Sequence, residues 1–154
     1  MTFQRNEARH RRSYWAGPAL VLAGILGACS GNTPPDIVYG KGMSCLDDSA
    51  HCISQRKAAL RNIVTRSDSH WVRDPASVQS YASGVRLFAF KTKKTELTCN
   101  ELQIGRNEAE GAARVLRGPE GRSLSPAQIS RGVILGEEVS RELAREHKRR
   151  CRRG

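Results

Sequence analysis

The chain has 154 residues, 26 Lys or Arg against 15 Asp or Glu, and a formal net charge of +11. That length excludes a large multidomain enzyme and fits one domain, and 38% hydrophobic with 5% aromatic residues allows a modest, mostly aliphatic core. The charge excess asks for an anionic partner such as nucleic acid, lipid headgroup or acidic polymer; the five cysteines mean metal, catalysis or disulfides according to compartment.

Residues 1–18 carry Arg5, Arg9, Arg11 and Arg12 against only Glu7, and an apolar run from Ala19 to Ala28 follows, ending at Cys29. That run is shorter than the ~20 residues a membrane-spanning helix needs. A basic segment, a short apolar run and small residues at its end form the pattern of a removed export signal. Leu26-Gly27-Ala28-Cys29 resembles the lipobox of bacterial lipoproteins, in which small residues let the peptide lie extended in a peptidase groove and the thiol accepts a diacylglyceryl group. The resemblance implies a signal peptide over 1–28, cleavage before Cys29 and acylation of that residue. Ser30, rather than Asp, follows the cysteine, which in Gram-negative systems implies transfer to the outer membrane, facing the periplasm. Arg11-Arg12-Ser13-Tyr14-Trp15 lacks the Leu and Lys of a twin-arginine signal and reads as plain basic segment.

Losing Arg5, Arg9, Arg11, Arg12 and Glu7 with the signal lowers the net charge from +11 to +8. Residues 29–44 hold the lipidation site and a stretch rich in turn formers, read as a tether that spans on the order of 20 Å as a coil. The domain is expected over 45–154, with a basic C-terminal tail.

Four helices are predicted. Residues 49–66 place Ile53, Leu60, Ile63 and Val64 near one face. Asp74-Pro75 reads as N-cap and first helical residue of the second, with Val78, Tyr81, Val85 and Phe88 at helical spacing; Val85 to Phe90 also alternates as a strand would. The third opens at Thr98-Cys99-Asn100-Glu101, a capping box flanked by Leu97 and Leu102 as a hydrophobic staple. It runs through Ala109, Ala112 and Val115 to Gly118-Pro119-Glu120-Gly121. The fourth repeats the device at Ser125-Pro126-Ala127-Gln128, with Leu124 and Ile129 as staple, and carries Val133, Gly136, Ser140 and Leu143 in one stripe to about residue 150. Short connections favour antiparallel neighbours, so the expected fold is all-α, a small up-down bundle. In that arrangement Cys45, Cys52, Cys99 and Cys151 share one end. With Cys29 acylated, as the resemblance implies, the remaining count is even and the compartment oxidising. The pairs Cys45–Cys52 and Cys99–Cys151 are expected to staple the bundle, other pairings staying geometrically possible.

His147 and Cys151, four apart on a helix, could join Cys45, His51 and Cys52 around zinc; no CxxC or HExxH pattern supports that, and no metal or cofactor is expected. Ser67-Asp68-Ser69-His70 holds the residue types of a hydrolase triad, but adjacent loop residues cannot hold triad geometry, so it reads as a polar turn. Asp47-Asp48 and Glu137-Glu138 are expected to be solvated. Trp71 reads as a plug for the open end of the core rather than an exposed anchor. No GxSxG motif, phosphate-binding glycine loop or CxxCH site occurs, so no enzymatic activity is expected.

The basic residues are the most suggestive feature. Lys91, Lys93 and Lys94 end the second predicted helix; Arg145, Lys148, Arg149, Arg150, Arg152 and Arg153 end the fourth. Some complement helix dipoles, but their number exceeds what capping requires. In the up-down bundle they gather where the tether enters and face the membrane, where each is worth about 1 kcal/mol on an anionic surface. The lipobox, the Cys45/Cys52 pair, the run Tyr81-Ala82-Ser83-Gly84-Val85-Arg86-Leu87-Phe88-Ala89-Phe90 and the Cys99/Cys151 frame together resemble small, uncharacterised lipoproteins of Gram-negative envelopes. The resemblance imports no activity; together with the basic residues it leads to the expectation of a membrane-anchored, non-enzymatic envelope lipoprotein that binds a protein, an anionic lipid or lipopolysaccharide. The rival classes are a basic nucleic-acid-binding protein, disfavoured by the export signal and the lack of stacking aromatics, and a small periplasmic metal-binding or redox protein.

Overall fold

The computed structural model describes residues 42–151. The signal segment, the lipobox, most of the predicted tether, Arg152 and Arg153 lie outside the described residues. Within them every regular element is helical. Helix α1 (Ala50–Thr65) begins where Ser49 Oγ accepts the Cys52 N–H at 3.2 Å. The domain begins before residue 45. Residues 42–44 are already helical, and Gly42 packs so closely on α1 that a Cβ there would meet the Cβ of Ala59 at 2.3 Å. The tether expected through 44 therefore ends before 42.

The second predicted helix is corrected in its start and its continuity. Asp74 and Pro75 lie outside it. Helix α2 (Val78–Ser83) is instead capped by Ser77, whose hydroxyl accepts the Ser80 N–H at 3.2 Å. Gly84, at φ 74°, ends α2 and starts α3 (Val85–Lys93). This left-handed conformation costs a side-chain-bearing residue strain that glycine escapes. The ambiguity between helix and strand over 85–90 has a physical reason. Val85, Arg86, Leu87, Ala89 and Phe90 are all buried, so α3 is enclosed nearly all round and shows no clean apolar face.

Helices α4 (Cys99–Arg117) and α5 (Pro126–Cys151) start as their capping boxes predict. Thr98 Oγ1 accepts the Glu101 N–H at 3.3 Å while Glu101 accepts the Thr98 N–H at 2.8 Å. Ser125 and Gln128 exchange the same two bonds at 3.3 and 2.9 Å. Between the helices, the turn Pro119–Ser123 is 3₁₀. The two helices run antiparallel through small residues. A Cβ on Gly136 would lie 2.8 Å from the Cβ of Ala112, and one on Gly105 would lie 3.1 Å from Leu143. Close approach at glycine and alanine brings the helices together, with Leu102, Leu116, Val139 and Leu143 fully buried in the core.

The structure bonds Cys45 to Cys52 and Cys99 to Cys151, but not at one end of the molecule. Arg131, in the second turn of α5, pairs with Asp48 at 2.5 Å and donates to the Leu46 carbonyl at 3.1 Å. The Cys45 loop thus sits beside the start of α5, and Cys99 beside its end. Twenty residues of α5 separate Arg131 from Cys151, about 30 Å at helical rise. The expectation that all four cysteines share an end is therefore overturned.

The reason lies in residues 66–77. Helix α1 runs in the same direction as α3. Ile53, Lys57 and Leu60 border Ser83, Val85 and Phe88, and the carbonyls of Val64 and of Arg66, just past its end, accept from Lys93. The chain must return between the two helices, and it does so through a mostly irregular leg. That leg starts at Ser69, bonded to Glu101 at the head of α4, passes the 3₁₀ turn His70–Val72, and brings Tyr81 against Gly132.

Candidate binding surfaces

Arg86 holds the returning leg to the bundle. It is 2% exposed, and a guanidinium buried so deeply needs its donors engaged. Its Nε donates to Glu108 at 2.7 Å, Nη2 to the Val72 carbonyl at 3.1 Å, and Nη1 to the Trp71 carbonyl. The group also stacks over Trp71 and Phe90, 5.7 and 5.5 Å from the ring centroids. Burial pushes the Glu108 carboxyl above its ordinary pKa although Arg86 pulls it down. Trp71 is buried against Phe90, with ring centroids 4.7 Å apart, so it belongs to the core and is no exposed anchor. Sequence reasoning did not single out Arg86. An arginine amid apolar residues was the available signal.

The other polar motifs resolve into structural roles. In Ser67-Asp68-Ser69-His70, Asp68 accepts the backbone N–H of His70 and pairs with Arg66 at 3.1 Å, while Ser69 donates to Glu101; serine, histidine and aspartate do not form a relay. Burial raises the Glu101 pKa, but the bonds from Ser69 and Thr98 outweigh it and hold the carboxyl low. Asp48, expected to be merely solvated, is exposed yet links Arg56 at 3.3 Å to Arg131 at 2.5 Å, joining α1 to α5. Asp47 accepts the Ser49 N–H at 2.8 Å, and Glu138 pairs with Lys91. His147 and Cys151 stand at the opposite end of α5 from Cys45, His51 and Cys52, so these residues cannot share one ion. The sulfurs near Asp47 are bonded to each other.

The basic residues divide by what they touch. Lys91 pairs with Glu138 at 2.5 Å and Glu142 at 3.3 Å, and Lys94 with Glu142. Hydrogen bonds from Lys94 and Lys91 hold Glu142 below the usual carboxylate range. Lys93 is buried, donates to the Arg66 carbonyl at 2.7 Å and pairs with Glu96 at 3.1 Å, capping the open end of α1. Arg149 pairs with Glu146 at 2.5 Å, and Arg150 donates to the carbonyls of Lys94 and Thr95 at 3.1 and 3.0 Å, closing the end of α3. The cluster read from the sequence as a membrane-facing surface is thus largely spent within the domain, Arg149 on its own helix and Lys91, Lys93, Lys94 and Arg150 on neighbouring helices or turns. It also stands at the far end of α5 from residues 42–48, where the N-terminal segment joins the domain; the expected meeting of tether and basic end is corrected.

Arg141, Arg145 and Lys148 differ. All three are exposed, none has an ion pair or hydrogen bond among the described residues, and their i, i+4, i+7 spacing puts them on one face of α5. Arg141 was missed because the reading followed density of charge near the C-terminus rather than helical face.

An apolar groove is the second unoccupied surface feature. Ile53, Arg56, Lys57 and Leu60 on α1, Ser83 at the end of α2, and Val85 and Phe88 on α3 line about 240 Å³. Phe88 and, on α5, Ile134 are the large apolar side chains left exposed among the described residues. No described helix is long and apolar enough to cross a membrane. No family model, curated protein or solved structure matches this chain.

Proposed function

We propose that the chain is a lipid-anchored protein of the Gram-negative cell envelope, processed before Cys29 and carried to the outer membrane. Its helical domain binds an anionic envelope component without catalysing a reaction. The lipobox Leu26-Gly27-Ala28-Cys29 supports the anchor, and two disulfides in so small a domain suit an oxidising compartment. Helices α3, α4 and α5 read as the up-down part of the bundle, supported by the Phe90–Gly105 and Gly136–Ala112 approaches.

The observation that carries the binding role is the free stripe Arg141, Arg145 and Lys148. Cations already committed to carboxylates gain little from a second anion, whereas free ones keep their full attraction to phosphate. Lipid-bound phosphate fits such a stripe, since each cation near an anionic surface adds about 1 kcal/mol and an anchor keeps the domain within reach of it.

Two measurements test this reading. Intact-mass analysis of envelope protein should show an acylated N-terminus beginning at Cys29; an unmodified chain starting at Met1 overturns the anchor. Vesicle flotation of a Cys29→Ala variant should show binding to anionic but not neutral vesicles. That binding should be lost on reversing Arg141, Arg145 and Lys148 together and retained on reversing Lys91 and Lys94. Equal losses from both sets would return the role to the whole basic end.

A further inference from the structure

We propose that the groove between α1 and α3 receives an acidic amphipathic segment of a partner protein, seating one or two of its apolar side chains against Phe88. The groove is small: about 240 Å³ falls below the ~300–1,000 Å³ of sites that enclose a small molecule. It suits side chains projecting from a larger ligand. Its walls are apolar, and Phe88, 43% exposed at its lip, is the kind of aromatic that anchors protein interfaces.

Charge selects the partner. Neither α1 nor α3 contains a single Asp or Glu, while α1 carries Arg56, Lys57 and Arg61. Lys57 lines the groove, and Arg61 follows one turn on along the same face. Both are exposed, and the side chain of neither has an ion pair or hydrogen bond among the described residues. The nearby carboxylate of Asp48 is already held by Arg56 and Arg131. The surface extends toward α5. Lys91 lies one turn beyond Phe88 and Glu138 one turn beyond Ile134, so the Lys91–Glu138 pair sets Phe88 and Ile134 on a common face. A second copy of the chain would bring Lys57 and Arg61 against their own likes, which costs rather than gains free energy. A segment with leucine-type residues on one stripe and glutamates beside it meets both requirements.

The test uses the purified full chain with its disulfides intact and two fluorescein-labelled helical peptides of about 15 residues. Both carry leucines at i, i+3, i+4 and i+7; one is flanked by glutamates, the other by lysines. Fluorescence anisotropy should show binding of the acidic peptide alone, weakened by added salt. Phe88→Ala should weaken it at least about tenfold, as truncating an interface anchor does. Lys57→Glu, at an exposed site, should weaken it by about the same factor, with the far-UV circular dichroism and Tm of both variants unchanged. Equal binding of the two peptides, or indifference to Phe88→Ala and Lys57→Glu, overturns the proposal. So does sedimentation showing a dimer that Phe88→Ala dissolves, since the groove then holds a second copy. Displacement of the acidic peptide by dodecanoate at concentrations below its micelle formation would assign the groove to an acyl chain instead. None of these outcomes depends on the α5 stripe, so failure here and failure of the phosphate-binding role are separable.

Discussion

The α4–α5 hairpin and the segment from α1 through α3 are held together by different physics. The hairpin packs its long helices closely, Gly136 on Ala112 and the Ala109 carbonyl, Leu116 on Gly132 and Leu143 on Gly105, with Cys99–Cys151 closing its open end. Its contacts are dispersive and continuous, and each helix start is specified by its own residues. The first segment has short helices and an irregular returning leg. It is positioned by a few polar attachments: Arg86 on Trp71 and Val72, Lys93 on the end of α1, Ser69 on Glu101, and Asp48 on Arg131. A seam of small residues tolerates loss of any one contact but no added volume. A region hung on charged groups withstands added volume at its surface but not the loss of a buried partner.

That contrast is broken most severely at Arg86. Arg86→Met leaves Glu108 buried without its cation and should cost about 3–5 kcal/mol. Adding Glu108→Leu should recover much of that loss, because the stranded charge is gone. Urea denaturation of the two variants measures both. If the single and double variants were equally destabilised, the pair would contribute only packing.

The disulfides come next. Replacing Cys99 and Cys151 by serine opens a loop closed across 52 residues and should cost about 4 kcal/mol on the chain-entropy account. The same change at Cys45 and Cys52, separated by 7 residues, should cost about 2 kcal/mol. Thermal unfolding with and without reductant should show the ranking, and a larger loss at Cys45–Cys52 would mean that the N-terminal attachment, not loop length, governs it.

Overpacking the seam should cost somewhat less. Gly136→Val places methyl groups where a Cβ already approaches the Ala109 carbonyl to 2.9 Å, a change worth about 1–3 kcal/mol. Added volume on the open side of α4 is expected to cost nothing; Gly111→Ala, whose Cβ would meet only the Arg114 guanidinium at 3.7 Å, serves as that control. Equal Tm values for Gly136→Val and the control would show that the helices separate at little cost.

The smallest effect concerns pH. Glu142 is held below its ordinary pKa by Lys94 and Lys91, and Glu146 by Arg149. A carboxylate lowered by folding stabilises the native state at neutral pH, and that contribution fades as pH falls through and below the ordinary carboxylate range. Glu108 works in the opposite sense. Burial raises its pKa, so its protonated form favours the fold and that contribution fades as pH rises through the raised value. Stability should fall modestly on acidification, and a Glu142→Gln, Glu146→Gln variant should show a flatter profile. An unchanged profile would show these ion pairs to be too solvated to matter.

Much of the domain was legible where the determining contacts are local. Thr98 with Glu101 and Ser125 with Gln128 specify helix starts through bonds spanning three residues, and both starts stand where they were expected. The misplaced cap at Asp74 shows the limit: Ser77, three residues on, satisfies the first amides of α2 equally well, and tertiary packing chose between them. The binding surfaces were less legible. Charge density pointed to Lys91, Lys93, Lys94, Arg149 and Arg150; Arg149 pairs one turn back on its own helix, but the others take acidic or carbonyl partners from other helices or adjoining turns. Which cations stay free depends on distances across helices, and those have no signature along the chain. The groove was invisible for the same reason, since Ile53 and Phe88 each fit a predicted helical face and only their juxtaposition makes a surface.

What the amino-acid sequence determined by itself was the helical class, the capped starts of α4 and α5, the glycine stop at Gly118 and the helical stretch of α1. All of these rest on hydrogen bonds and side-chain periodicity within a turn or two. Tertiary structure alone decided the direction of α1 and, with it, the opposite placement of the two disulfides. It also decided the neutralisation of the basic end and the opening of the α1–α3 groove. The physical reason is that these outcomes rest on contacts between residues far apart along the chain: Arg86, withdrawn from water, takes its partners from Trp71 and Val72 on the returning leg and from Glu108 on α4.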